Sequence, residues 1–209
     1  MIFNMSGKAR LRAFLDANIL AKPFTRTLLL VASAVADARF RPVWSGSAEA
    51  EAEQVLERRF GERAVSLEKV RNTWGFELSV TGAVAERFQA TSATDRQILA
   101  DAAEAKAQVL VTEDVDDFAL LDLDLVGVTA VHHDLFASEL LTDSGYRAAL
   151  EVVARGVPVD QIHAATARLH PRLFSVFAEM FPGVEPEPGP EQPRVQLRGS
   201  SWIPSRNRV

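Results

Sequence analysis

The sequence contains no cysteine, and this absence excludes several classes of protein at once. Without thiols there is no disulfide framework, no cysteine-bound zinc or iron–sulfur cluster and no cysteine nucleophile. No apolar run reaches the roughly 18–20 residues that a transmembrane helix requires. Basic residues number 23 against 28 acidic ones, so the chain does not hold nucleic acid by bulk positive charge. We therefore expect a cytoplasmic protein that does not associate with membranes.

The composition of the 209 residues is typical of a globular protein, with 47% hydrophobic and 24% charged residues. Apolar runs that predict β-strands occupy residues 11–15, 41–44, 108–112 and 125–131. The stretches between them have helical spacing, over residues 25–40, 48–60, 64–90 (in two pieces) and 95–106. Because strands that alternate with helices form βαβ units, we predict an α/β fold with a parallel sheet between two helical layers.

The C-terminal third has a different composition. Residues 134–141, 143–155, 159–169 and 171–181 have helical patterns. The segment GVEPEPGPEQP that follows cannot build a packed core, and the last residues are basic, with a single Trp202. We therefore predict a helical extension over residues 139–182 and a flexible tail, first Pro-rich and then basic, over residues 183–209.

Acidic residues lie where the predicted strands end. Asp16 ends the first strand, Asp114 follows the third, and Asp117 lies three residues on. Asp95 opens a helix, for which the spacing of Thr94 and Gln97 predicts a capping box. In an open α/β sheet these positions share the carboxyl edge, where ligands bind. An acidic helix after the second strand adds three more candidates, Glu49, Glu51 and Glu53.

Carboxylates that converge on one edge raise one another's pKa unless a cation lies between them. Hard divalent ions such as Mg²⁺ and Mn²⁺ prefer oxygen ligands and are held by a few carboxylates together with substrate phosphates. Such a site is suited to phosphodiester hydrolysis, and the metal also allows an acidic protein to approach a polyanion. The sequence therefore predicts a Mg²⁺ or Mn²⁺ site.

Four segments resemble PIN-domain ribonucleases, and most closely the VapC-type toxins of bacterial toxin–antitoxin pairs. The resemblance covers roughly residues 10–138, and the helical extension resembles the C-terminal part of one VapC subgroup. The most specific segment is Ala93–Phe118, in which the helix, the strand and the acids follow the family order. The segments are FLDAN (Phe14–Asn18), VWS with the acidic helix (Val43–Glu53), ATDRQILADAAEAKAQVLVTEDVDDF (Ala93–Phe118) and AVHHDLF (Ala130–Phe136).

The resemblance implies a three-layer PIN-like domain and assigns roles to its acids. Those matched to the catalytic set are Asp16, Glu51, Asp95 and Asp114, of which Asp16, Asp95 and Asp114 would bind the metal. Supporting roles fall to Asn18, Thr112 and Asp117. The second acid stays open, because the alternating EAEAE run also offers Glu49 and Glu53.

The resemblance further implies a metal-dependent endoribonuclease of the toxin type that cleaves tRNA or rRNA, forms a homodimer and is inhibited by a cognate antitoxin. Within the domain, Arg58, Arg59 and Arg63 belong to the densest basic stretch. They are either phosphate contacts beside the acids or a solvated helix face.

Two other functions are compatible with the residues. One is a PIN-like module that binds RNA or protein without turnover. The other is a phosphatase on small esters, although enzymes of the haloacid-dehalogenase type need an acid where this chain has Asn18. The pair His132 and His133 is interpreted as structural, and Asp134 as the cap of the helix that follows it.

Overall fold

A computed structural model describes residues 10–83 and 85–199 of the chain. Residues 200–209 of the predicted tail, which include Trp202, Arg206 and Arg208, lie outside the described residues. Among the residues that are described, no helix is long and apolar enough to cross a membrane.

The centre of the fold is a five-stranded sheet with the order β2-β1-β3-β4-β5. Its first four strands are parallel, and β5 runs antiparallel to β4. The central strands are almost entirely buried, as near-continuous apolar runs in a parallel sheet require. The predicted α/β/α class with a parallel sheet is therefore confirmed, with one antiparallel edge strand added. The strands are β1 (Leu11–Leu15), β2 (Phe40–Val43), β3 (Val109–Thr112), β4 (Thr129–His132) and β5 (Leu197–Arg198).

Ten helices are found in the described ranges, and single 3-10 turns cover residues 61–63, 85–87, 115–117 and 178–180. The four helices that were predicted after residue 133 are all present as α7 to α10. The helices are α1 (Ala17–Leu20), α2 (Pro23–Ala34), α3 (Gly46–Phe60), α4 (Leu67–Trp74), α5 (Arg96–Glu104), α6 (Leu120–Val126), α7 (His133–Leu140), α8 (Asp143–Ala154), α9 (Val159–Thr166) and α10 (Pro171–Val176).

The helical extension shares its core with the sheet domain. Helix α8 packs against α2 so closely that a Cβ on Gly145 would lie 3.3 Å from the Cα of Ala32. Tyr146 and Leu150 are fully buried in the same apolar cluster as β1. The extension therefore packs against the same hydrophobic core that supports the sheet and its carboxyl edge.

Several predicted boundaries are wrong. The fourth strand was predicted from residue 125, but residues 120–126 are helical and the strand begins at Thr129. Gly127, at φ 66°, adopts the left-handed conformation that ends helices, and it splits the apolar run into a helix end and a strand. Helix α2 ends at Ala34 rather than at Phe40, which begins β2. In the described part of residues 64–90, only α4 and one 3-10 turn are helical.

The segment after α10 differs from the flexible tail that its composition predicts. The backbone N–H of Glu187 donates to the carbonyl of Ala164, and β5 pairs with β4. Val195 and Leu197 pack against the core. Hydrogen bonds of the backbone and the burial of these two apolar side chains therefore hold the segment against the rest of the protein, although the Pro-rich stretch has few apolar residues of its own.

Gly82 allows a loop to approach α5 closely. A Cβ at this position would lie 2.4 Å from the backbone carbon and oxygen of Ala100. We expect Gly82→Ala to lower the free energy of unfolding by about 1–3 kcal/mol, because the backbones must separate. Gly46→Ala is the matched control, since its Cβ would meet only Leu78 Cδ1 at 3.9 Å. Equal urea midpoints for the two variants would contradict the prediction.

Candidate functional site

Asp16 lies at the carboxyl end of β1 and is almost completely buried, with 7% of its surface exposed. One carboxylate oxygen accepts the backbone N–H of Ala17 at 2.6 Å, which caps α1. The other oxygen accepts the hydroxyl of Thr112 at 2.7 Å, from the end of the adjacent strand β3. The parallel pairing of β1 and β3 therefore fixes the orientation of this carboxylate.

Asn18 and Thr112 connect Asp16 to the loop after β3. The Asn18 amide donates to Thr112 Oγ1 at 3.1 Å and to Asp114 Oδ2 at 3.3 Å. Its carbonyl oxygen accepts the backbone N–H of Glu113, and Thr112 Oγ1 accepts that of Asp114. Thr112 has no exposed surface. Four of the residues selected from the sequence thus form one hydrogen-bonded network.

The electrostatics of Asp16 indicate that acids from other elements lie close by. Burial raises the pKa of Asp16 to about 7, although the hydrogen bonds from Thr112 and Ala17 oppose the shift. The negative charges of Glu51 and Asp95 raise this pKa further. Carboxylates carried by β1, α3 and the start of α5 therefore interact at one edge of the sheet.

Among the three glutamates of α3, two are engaged in structural contacts. Glu49 is buried and accepts the indole N–H of Trp44 at 2.7 Å and the guanidinium of Arg71 at 3.1 Å. Glu53 accepts the backbone N–H of Leu67 at the start of α4. Glu51 is exposed and accepts no hydrogen bond from any residue in the described ranges. Glu51 is thus the glutamate whose oxygens remain free for a ligand.

The predicted capping box at α5 is wrong. The helix begins at Arg96. Asp95 is its N-cap residue, but the Asp95 side chain forms no capping hydrogen bond. The Asp95 carboxylate instead accepts the hydroxyls of Ser92 and Thr94. Gln97 turns away from the cap because its amide donates to the carboxylate of Asp101 at 2.7 Å.

The loop after β3 adds charges of both signs. Partial burial and the neighbouring charges of Glu113 and Asp117 raise the pKa of Asp114, whereas Asn18 and Lys22 lower it. Lys22 forms an ion pair with Glu113. Sequence reasoning missed Lys22, since a lysine before Pro23 carries no signal beyond a helix start. Asp117 is exposed and takes part through its charge alone.

Two buried aspartates that sequence reasoning also missed hold loops at this edge. Asp101 is fully buried and accepts the N–H of Gly82 at 2.7 Å, together with the hydroxyl of Ser47. Asp122 accepts the backbone N–H of Thr91 at 2.6 Å, just before the turn that carries Asp95. Their helical positions gave no sign of these roles, because the partners lie 19 to 54 residues away along the chain.

The donor chemistry of the site fits a divalent metal ion, although the acids do not form a closed cage. Within residues 10–83 and 85–199, no three Asp, Glu or His side chains are placed to hold an ion between them. Mg²⁺ is commonly held by one or two carboxylates, with waters and substrate phosphates completing its shell. Asp16 with Glu51, Asp95 or Asp114 provides such a donor set.

The three arginines selected from the sequence, Arg58, Arg59 and Arg63, lie in the last turn of α3 and in the 3-10 turn after it, and all are exposed. Arg58 follows Glu51 by seven residues, which places the two on the same helix face about 10 Å apart along the axis. Arg59 lies over the ring of Phe60 at 5.3 Å, and Arg63 belongs to the 3-10 turn that follows. A polyanion bound at the acids could therefore reach Arg58 along one face of α3.

Comparison with known proteins adds no relative: no family model, no curated protein and no solved structure matches this chain.

A second polar cluster, built on histidines, lies in the interior. The rings of His132 and His133 are 4.2 Å apart, and Nδ1 of His133 lies 3.4 Å from Nδ1 of His170. All three are buried, and Nε2 of His170 lies 3.0 Å from the hydroxyl of Thr25. Asp134 does not cap its own helix as predicted; its carboxylate accepts two backbone N–H groups at the start of α10. The capping group of α7 is His132.

Proposed function

We propose that this protein is a metal-dependent ribonuclease that hydrolyses RNA phosphodiester bonds. The observation that carries the proposal is the buried carboxylate of Asp16, whose pKa is raised to about 7 beside the charges of Glu51 and Asp95. Asp16 accepts two hydrogen bonds, but no Lys or Arg side chain in the described ranges forms an ion pair with it. Like charges gathered at a ligand-binding edge instead favour a site that is completed by a divalent ion.

Asp16, Asp95 and Asp114 would hold Mg²⁺ or Mn²⁺, with Glu51 beside them. The chemistry that such an ion supplies when bound is activation of a water molecule and neutralisation of charge on the phosphodiester. The protein's own residues prepare the site. Thr112 donates to Asp16 and so orients its carboxylate, while Asn18 restrains Asp114. Such supporting contacts commonly change metal affinity or activity by about 10–100-fold when they are removed.

The substrate and partners follow from the resemblance of the sequence to VapC-type toxins. We propose a structured RNA such as tRNA or rRNA as substrate, a cognate antitoxin as inhibitor, and a homodimer as the assembled form. Arg58, which shares a helix face with Glu51, would contact a phosphate next to the cleavage site, and Arg59 and Arg63 are further candidates for phosphate contact. Contacts of this kind position the RNA and carry no sequence information.

The test is cleavage of total tRNA and of rRNA by the purified protein, with Mg²⁺ or Mn²⁺ and with EDTA. We expect cleavage that EDTA abolishes, and a loss of about 100-fold or more in Asp95→Asn and Asp114→Asn. The matched control is Glu179→Gln, which neutralises an exposed acid in the C-terminal extension. Cleavage that survives EDTA, or equal activity in all three variants, would contradict the proposal.

A binding module without turnover is the second candidate. Such a module would act through the helical extension, whose Tyr146 and Leu150 are buried in the same core as β1. The two functions differ in their response to metal. Since a ligand stabilises the state that binds it, Mn²⁺ raises the melting temperature of a nuclease of this kind but not that of a metal-free module.

A further inference from the structure

A groove of about 540 Å³, whose lining includes none of the acids selected above, lies between α2, α8, the end of α3 and α4. Its lining is mainly apolar and includes Leu30, Val31, Leu56 and Val70. The apolar surface continues to its rim, where Trp74 is 40% exposed. Volumes of this size and apolar linings of this kind are typical of sites for small organic ligands.

One charged side chain in this lining has no counter-ion. Arg26 is only 5% exposed, and no carboxylate in the described ranges forms an ion pair with it. Its guanidinium makes one hydrogen bond, from Nη1 to the carbonyl of Leu20. Burial lowers the pKa of Arg26 to about 10, and no acidic neighbour offsets that cost. The other two nitrogens of Arg26 are not among the fully buried polar atoms that lack a partner in the described ranges, so they remain accessible from the groove and can bind an anion there.

The fork of N–H groups on a guanidinium matches a carboxylate, which it can bind through two parallel hydrogen bonds. Most of the residues that line the groove are apolar, so we expect the group attached to that carboxylate to be apolar as well. We propose that the groove binds a small amphiphilic carboxylate, of the chemistry of a medium-chain fatty acid, with its head group on Arg26 and its chain along Leu30, Leu56 and Val70.

The lining argues against RNA as the occupant. A phosphate backbone needs several cations spaced along a solvated groove, whereas here most of the lining is apolar and only one of its three arginines is buried. Arg63 and Arg155 also line the groove, but both are exposed. Exposed arginines of this kind attract any anion and do not distinguish an amphiphilic carboxylate from other anions. The site does not depend on the proposed nuclease activity, because it uses none of the acids at the sheet edge.

The test is calorimetric titration of the whole protein with decanoate, with decanol as the neutral analogue. We expect decanoate to bind, and decanol to bind at least about tenfold more weakly, because it cannot form the charge-assisted pair. Arg26→Met should weaken decanoate binding by a similar factor and leave decanol binding unchanged. This substitution removes an unpaired buried charge, so it is expected to preserve folding.

Two further variants make the result decisive. Arg155→Met is the matched control at the rim, and we expect less than about a twofold change in decanoate affinity. Val152→Trp fills the groove from an exposed position and should block both ligands. The proposal is overturned if decanoate does not bind or if it binds no better than decanol. It is also overturned if an oligoribonucleotide, or an acidic leucine-rich helical peptide, binds through Arg26 while decanoate does not.

Discussion

An Asp16→Asn variant is expected to be more stable than the wild-type protein at pH 8 and to cleave RNA about 100-fold more slowly or worse. The two effects have one origin. The wild-type carboxylate is ionised at pH 8 in a buried position where Glu51 and Asp95 repel it. A neutral amide removes this cost and also removes the charge that would bind a metal ion.

The gain in stability should depend on pH with a definite sign. The pKa of Asp16 rises from 3.8 to about 7 on folding, so between these values the folded state holds a proton that the unfolded state has lost. The stability contributed by that proton is present at low pH and disappears as the pH rises through about 7. The difference corresponds to on the order of 4 kcal/mol. Since asparagine cannot accept both the Ala17 and Thr112 hydrogen bonds, we expect a net gain of about 1–3 kcal/mol.

Urea unfolding of the wild type and of Asp16→Asn at half-unit steps from pH 4 to pH 8 measures this directly. The two curves should separate as the pH rises, with the variant above the wild type at pH 8. Glu179→Gln, at an exposed acid, should follow the wild type at every pH. A variant that is less stable than the wild type at pH 8 would show that the hydrogen bonds of Asp16 outweigh its burial.

Acidification from pH 7 to pH 4 is expected to destabilise the protein by several kcal/mol through the histidine cluster. Burial lowers the pKa of His132 to about 4 and that of His170 to about 3, and it lowers the pKa of His133 as well. Below the ordinary value of 6.5, the unfolded chain therefore takes up protons that the folded protein excludes. The stability that depends on neutral histidines is complete above pH 6.5 and is lost as the pH falls towards these lowered values.

The size of the effect is large relative to the total stability of a domain, which is about 5–15 kcal/mol. Protonation of Asp16 partly opposes it over the same interval, so Asp16→Asn should be more sensitive to acid than the wild type. His170→Gln is the informative variant, because glutamine can retain a hydrogen bond to Thr25 but does not titrate. The slope of unfolding free energy against pH should fall by up to one proton in this variant. A slope that is unchanged below pH 6.5 would exclude the cluster as its source.

The convergence of the acids could be predicted from the sequence because it depends on topology alone. Asp16 and Asp114 follow apolar runs, and the carboxyl ends of parallel strands must share an edge. Thr112 could be included for the same reason, since it ends a strand that neighbours β1. These inferences need only the alternation of strands and helices, which the spacing of apolar residues along the sequence predicts.

Other features depend on partners that are distant in sequence, and no local pattern reveals them. The contacts of Glu49 and Glu53 with Trp44, Arg71 and Leu67 leave Glu51 as the α3 glutamate that we propose for the site. Gln97 has the spacing of a capping residue, but the buried carboxylate of Asp101 competes for its amide. Helix propensity and spacing describe neighbours along the chain, whereas these outcomes are decided by packing between elements.

The short strand β5 has a consequence for how this protein can meet others. An exposed edge strand offers unpaired N–H and carbonyl groups on which a foreign strand can add. Here the chain occupies that position on β4 itself, and Arg198 reaches across to pair with Asp116 in the loop that carries Asp114. On this side of the sheet a partner strand cannot pair with β4 directly: it must add to the short outer edge of β5 or first displace β5. In that case it would also release the Arg198 contact and loosen the loop beside the acids.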